Sequence, residues 1–291
     1  MATPYVTLVA PFVDYGFMRR ALAACAALSL GSGPIGVLLL LRRMSLTGDA
    51  MSHAVLPGAA AGFLFAGLSL WGMTVGGFVA GLVVAFLAGL VSRNTVLRED
   101  ASFAGFYLTS LALGVLLVSM RGSNIDLLHI LFGTILAVDD QALYLVGGIA
   151  SASTLILAAI YRPLVLECFD PSFLRSLGAR GSLYHLLFLV LVVLNLVAGF
   201  QALGTLMAVG LMMLPAAASR FWSRRIGGMI GASIAIALLS GYAGLLLSYR
   251  CNLPSGPAIV LTASACYLAS ILTGPRGGLL HRLYAPRPLH P

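Results

Sequence analysis

Apolar stretches of about 20 residues follow one another through this chain, separated by short connections that carry arginine. The first covers 21–41, with Arg19 and Arg20 before it and Arg42 and Arg43 after it. A segment of that length and composition is long enough to cross a hydrocarbon core as a helix. In lipid a spanning segment must satisfy its own backbone hydrogen bonds, which a helix does. Hydrophobic residues make up 60% of the 291 residues and charged ones 9%, with a mean hydropathy of +1.01, more than a soluble core can absorb. The predicted fold class is an all-α polytopic membrane protein.

Nine segments read as spans: 21–41, 47–66, 69–91, 101–120, 141–161, 182–200, 202–218, 227–249 and 254–272. Residues 1–20 read as an interfacial segment, with Tyr5, Phe12, Tyr15 and Phe17 as headgroup anchors. Residues 21–273 form a single transmembrane domain, and 274–291 a cytoplasmic tail. The apolar run at 127–138 is too short to cross and predicts a re-entrant or interfacial helix. If 42–46, 93–100, 162–181, 220–226 and 274–291 are cytoplasmic, they hold every Arg except Arg19, Arg20, Arg121 and Arg250. That gives nine spans, with the N-terminus outside and the C-terminus inside. Arg19 and Arg20 fit this poorly, so eight spans remain an alternative.

All 17 basic residues are Arg. Without Lys there is no Walker A motif, no Schiff-base chemistry and no Ser–Lys dyad. The chain is therefore expected not to hydrolyse ATP through a P-loop of its own, and not to be an enzyme. The net charge of +8 reads as membrane flanks, not a nucleic-acid surface, because the Arg residues occur singly or in pairs between spans. Cys25, Cys168, Cys251 and Cys266 are scattered and suggest neither a disulfide framework nor a structural zinc site. No internal repeat is evident.

One run stands out: Arg42-Arg43-Met44-Ser45-Leu46-Thr47-Gly48-Asp49-Ala50-Met51-Ser52-His53-Ala54-Val55-Leu56-Pro57-Gly58. It places a carboxylate and an imidazole at i and i+4 of an apolar helix, on one face and about 6 Å apart along the axis. Oxygen plus nitrogen suits a divalent transition-metal ion such as zinc or manganese. Pro57 leaves the His53 carbonyl without its helical N–H, which adds a kink and a polar backbone group at the same level. Two plainer readings stand beside this one. Asp49 can be an acid at a helix start, and His53 a buried histidine bonded to a neighbouring carbonyl. Asp126 and His129 offer a second pairing outside the membrane, where Asp126 can equally cap a helix. Glu99, Asp100, Asp139 and Asp140 read as helix-start acids. His185, His281 and His290 carry no expectation. Gly72-x-x-x-Gly76 and Gly77-x-x-x-Gly81 are small-residue patterns that let helices approach closely.

The run at 42–58 resembles the signature of the zinc/manganese-type ABC importer permeases. Further matches follow in order: Ile125-Asp126-Leu127-Leu128 with Leu131-Phe132-Gly133, Gly204-x-Leu206-Met207 with Leu214-Pro215-Ala216-Ala217-Ala218-Ser219-Arg220, and Pro254-Ser255-Gly256-Pro257. The resemblance implies a homodimeric channel in a bacterial cell membrane. It implies a cytoplasmic ATP-binding subunit and an extracytoplasmic metal-binding protein as partners. Asp49 and His53 match the family's metal pathway. Phe169, Asp170 and Gly178 match positions in the loop that seats on the ATPase. No tightly bound cofactor is expected, and zinc, manganese or iron would be cargo. A proton-coupled secondary transporter is the rival reading; a membrane metalloenzyme is another, opposed by the lack of a third ligand nearby.

Overall fold

The computed structural model describes residues 9–67, 69–97, 99–120, 138–169 and 181–280, and every regular element among them is helical. In chain order these are α1 (Ala10–Asp14), α2 (Gly16–Leu41), α3 (Ser45–Ala66), α4 (Leu70–Asn94) and α5 (Glu99–Met120). After them come α6 (Asp140–Phe169), α7 (Gly181–Leu203), α8 (Thr205–Ser219), α9 (Ile226–Cys251) and α10 (Ser255–Thr273). Each of the nine apolar segments matches one of α2 to α10 to within a few residues, except at the ends of α2 and α6. Six of them, α2, α4, α6, α7, α9 and α10, are long and apolar enough to cross a membrane, and α8 is shorter. The other two are α3, which carries Asp49 and His53, and α5, which begins with Glu99 and Asp100. The run at 127–138 lies almost wholly outside the described residues, as do the tail beyond 280 and Asp126, His129, Asp170 and Gly178.

Two helices, α2 and α6, exceed their expected lengths by more than a turn. α2 begins at Gly16, so Arg19 and Arg20 are helical, and Arg20 reaches Asp140 at the start of α6 at 3.3 Å. α6 runs through Pro163 to Phe169. Proline leaves the Ala159 carbonyl without its helical partner, but Leu164 is fully buried and holds the continuation against the bundle.

Helices in lipid gain little from apolar contact alone, so close backbone approach matters. α3 is wedged between α4 and α5. A methyl group at Gly58 or Gly76 would fall on the other's carbonyl, and one at Gly62 would fall on that of Gly72. On the α5 side, Ser110 Oγ donates to the Ala54 carbonyl at 3.1 Å, and Gly114 faces the Pro57 ring. Gly77 faces Val55, and Gly81 faces Val193 of α7, so both glycine patterns serve packing.

The entry to α3 is a tight stop. Arg43 has φ 60, the left-handed conformation more usual for glycine. Its N–H donates to the Leu40 carbonyl at 3.2 Å, while that of Met44 reaches Leu39 at 2.9 Å. These two bonds form a Schellman closure of α2, which fixes the direction in which α3 departs.

Replacing Gly58 or Gly62 with Val drives a branched side chain into the α4 backbone and is expected to cost about 1–3 kcal/mol or more. Gly105, with open space around it, serves as the control: its replacement by Ala is expected to be neutral or stabilising. Thermal unfolding of the detergent-solubilised protein checks both, and equal midpoints for Gly58→Val and Gly105→Ala would refute the tight contact.

Candidate functional site

Because α3 starts at Ser45, its first turn contains no acid and Asp49 lies in the second. The helix-start explanation of Asp49 therefore weakens, since terminal dipole effects fade within one turn. His53 follows one turn later, roughly 12 Å along the helix from Ser45. The expected pairing on one face is present: His53 Nε2 lies 3.8 Å from Asp49 Oδ1. That separation is too long for a hydrogen bond. Asp49 is 62% exposed and His53 30%, so their facing atoms remain open to a ligand.

The pair opens into a cleft of about 310 Å³ between three helices. α3 contributes Asp49, Ser52 and His53; α8 contributes Thr205, Leu206, Val209 and Gly210; α10 contributes Val260. The Ser52 hydroxyl is turned back onto the Asp49 carbonyl at 2.8 Å. Behind His53, the Tyr107 ring of α5 stacks at 6.0 Å between centroids and 29° between planes. Among the described residues His53 Nδ1 is buried with no hydrogen-bond partner, so the plainer reading of a histidine tied to a nearby carbonyl does not describe this ring. Pro57 is inside α3 as expected, but the Ser110 hydroxyl meets the Ala54 carbonyl, one residue past the His53 carbonyl that Pro57 releases.

Chemically, the site offers one carboxylate and one imidazole per chain. Among the described residues no group of three or more His, Cys, Asp or Glu is placed to hold a metal ion. A metal-binding histidine normally donates its other N–H to an acceptor that orients the ring, and among the described residues the buried Nδ1 meets none. Both features make for shallow binding. Of the residues matched to the ATPase-docking loop, Phe169 is described: it is the last residue of α6, with its side chain 66% exposed.

A second polar cluster went unread in the sequence. Arg42, at the end of α2, is buried to 7% side-chain exposure. It donates to Glu167 Oε2 at 2.8 Å, to His185 Nδ1 at 2.8 Å and to Cys168 Sγ at 3.1 Å. Its guanidinium lies 4.6 Å from the Phe188 ring centroid. His185 in turn meets Glu99 Oε1 at 2.9 Å. The cluster thus gathers the ends of α2 and α6 with the starts of α5 and α7. Glu99 read as a cap and His185 as nothing, because contacts 86 to 143 residues apart leave no local pattern.

The family model for the ABC 3 transport family matches residues 14–274. The "Manganese import system permease protein ScaB" of Streptococcus parasanguinis is 34% identical over 273 residues, which cover 92% of this chain and 96% of that one. The "Manganese transport system membrane protein MntC" of Halalkalibacterium halodurans is 33% identical over 273 residues, 94% of this chain and 92% of that one. A solved structure, PsaBC from Streptococcus pneumoniae in complex with Fab, aligns with a TM-score of 0.83 and 32% identity. The alignment covers 95% of this chain and 100% of that one. These agree with the resemblance read from residues 42–58: the chain belongs to the ABC 3 transport family and is a multi-pass bacterial membrane protein.

Proposed function

We propose that this chain is the permease subunit of an importer that carries a divalent transition-metal ion, manganese first among zinc, manganese and iron, driven by ATP hydrolysis in a separate cytoplasmic subunit. The observation that carries the reading is the Asp49/His53 pair, held on one face of α3 with open ligand atoms in a cleft. The manganese assignment takes its support from the relatives' names. Chemistry agrees with it, since manganese sits at the weak end of the divalent affinity order and leaves an oxygen-and-nitrogen site easily.

Two ligands make an incomplete site. In a homodimer with two-fold symmetry, two Asp49 and two His53 converge on the axis and supply four. Weak, shared ligation suits passage, because the ion must leave as readily as it enters. An extracytoplasmic metal-binding protein delivers the ion, with Asp126 and His129 as its first contacts. The connection after α6, with Phe169, Asp170 and Gly178, seats on the ATPase.

Nine crossings with the C-terminus inside fit the packing of the helix ends. The Arg42 cluster brings 42, 99, 167 and 185 to one end of the bundle, as a shared cytoplasmic side for those connections requires. At another such pair of connections, Arg276 donates to the Trp222 carbonyl at 3.0 Å.

Proteoliposomes containing the permease and its ATPase test the reading. Asp49→Ala or His53→Ala is expected to abolish ATP-dependent Mn²⁺ uptake while the complex still assembles. Wild-type uptake by the double variant would sink the site assignment, and uptake driven by a proton gradient without ATP would sink the ABC mechanism for this chain. Tyr107→Ala removes a ring stack of about 0.5–1.5 kcal/mol behind His53 and is expected to slow uptake by roughly 2- to 10-fold. Tyr107→Phe keeps the ring and is expected to transport normally in the same assay.

A further inference from the structure

We infer that Arg42 is a positioning residue that ties the two helices gripping the metal pair to the two helix ends that flank the ATPase-docking connection. The inference rests on the permease reading above and assigns a device that works with the Asp49/His53 site.

The geometry runs through a single buried guanidinium. Glu167 and Cys168 lie in the last turn of α6, and His185 in the first turns of α7. These are the helices on either side of the 170–180 connection. Arg42 bonds to both of them, at 2.8 Å to Glu167 and 2.8 Å to His185. On the other side, Arg42 caps α2, and the Schellman closure at Arg43 and Met44 passes directly into α3. His185 carries the link on to Glu99, the first residue of α5. α5 holds Tyr107 against His53 and Ser110 against the Ala54 carbonyl. The roots of both helices that set the His53 ring therefore start from the same node as the two flanks of the docking connection.

The protons in this chain of bonds are determined by its donors. Arg42 has only N–H groups, so His185 Nδ1 must accept. The ring proton then sits on Nε2 and donates to Glu99 Oε1. Each of the two ring nitrogens has its own task, and the two can be separated by substitution. Asn at 185 offers an acceptor near the Nδ1 position and nothing at Nε2. Gln at 185 reaches the Nε2 position with a donor and abandons the bond to Arg42. Lys at 42 keeps the charge but, as a single point donor, cannot span Glu167, His185 and Cys168 together.

The test uses the full permease–ATPase complex in proteoliposomes, with Mn²⁺ as the probe, and measures ions moved and ATP hydrolysed in the same vesicles. Arg42→Lys and His185→Gln are expected to keep ATP hydrolysis while the ions moved per ATP fall by about 5-fold or more, the range of ordinary coupling energies. His185→Asn, which retains the Arg42 bond, is expected to keep more of the ratio than His185→Gln. A wild-type ratio in both Arg42→Lys and His185→Gln overturns the inference. So does a parallel fall in assembled complex, ATP hydrolysis and transport with the ratio intact, since that marks a merely structural role. If the wild-type complex moves no Mn²⁺ with ATP, the permease reading fails and takes this inference with it.

Discussion

The backbone contact between α3 and α4 governs the rest of the arrangement. A helix carrying an aspartate, a histidine and a proline is a poor candidate for spontaneous burial in lipid. α3 is held in the bundle because Gly58 and Gly62 let it lie against the backbone of Gly72 and Gly76. On its other flank, the Ser110 hydroxyl and the small surface of Gly114 fit α5 to the proline turn. Close approach of this kind replaces the hydrophobic drive that lipid does not provide between helices. The polar face of α3 is then left for the cleft shared with α8 and α10.

Much of this could be read from residue order. Apolar run length placed the helices, and the i,i+4 spacing placed Asp49 and His53 on one face. The small-residue patterns marked α4 as a close-packing helix. What they could not name was the partner, because Gly58 closes the 42–58 run and Gly62 lies beyond it, neither in a packing pattern, and the contact depends on which helices become neighbours. The extra turns of α6 were hidden for a similar reason. Arg162-Pro163 reads locally as a helix end, and the burial of Leu164 that overrides it is a tertiary effect. Arg42 was legible as a membrane-flanking charge and as the first residue of the 42–58 run, but not as a hub of contacts. Its partners lie on α6 and α7, 125 to 143 residues away, so the cluster has no sequence signature.

The two polar groupings also differ in kind. A buried guanidinium is costly unless its donors are met, and Arg42 meets a carboxylate, an imidazole and a thiol while its face covers Phe188. Short bonds from several helices make a stiff node that resists rearrangement piecemeal. Asp49 and His53 are the opposite. They are partly exposed, do not bond to each other and, among the described residues, have no orienting partner at the imidazole Nδ1.

That looseness has a geometric meaning. An ion bonded to both atoms at about 2.1 Å would see them roughly 130° apart across the 3.8 Å gap. This is wider than a tetrahedral or an octahedral edge allows, so full ligation requires the two side chains to draw together. Both stand on α3, so that closure would be a movement of the side chains and not of the helix. A pair bonded to each other at hydrogen-bond distance would have to be broken before an ion could enter, while a complete ligand set on one chain would hold the ion too well. The observed separation lies between these extremes.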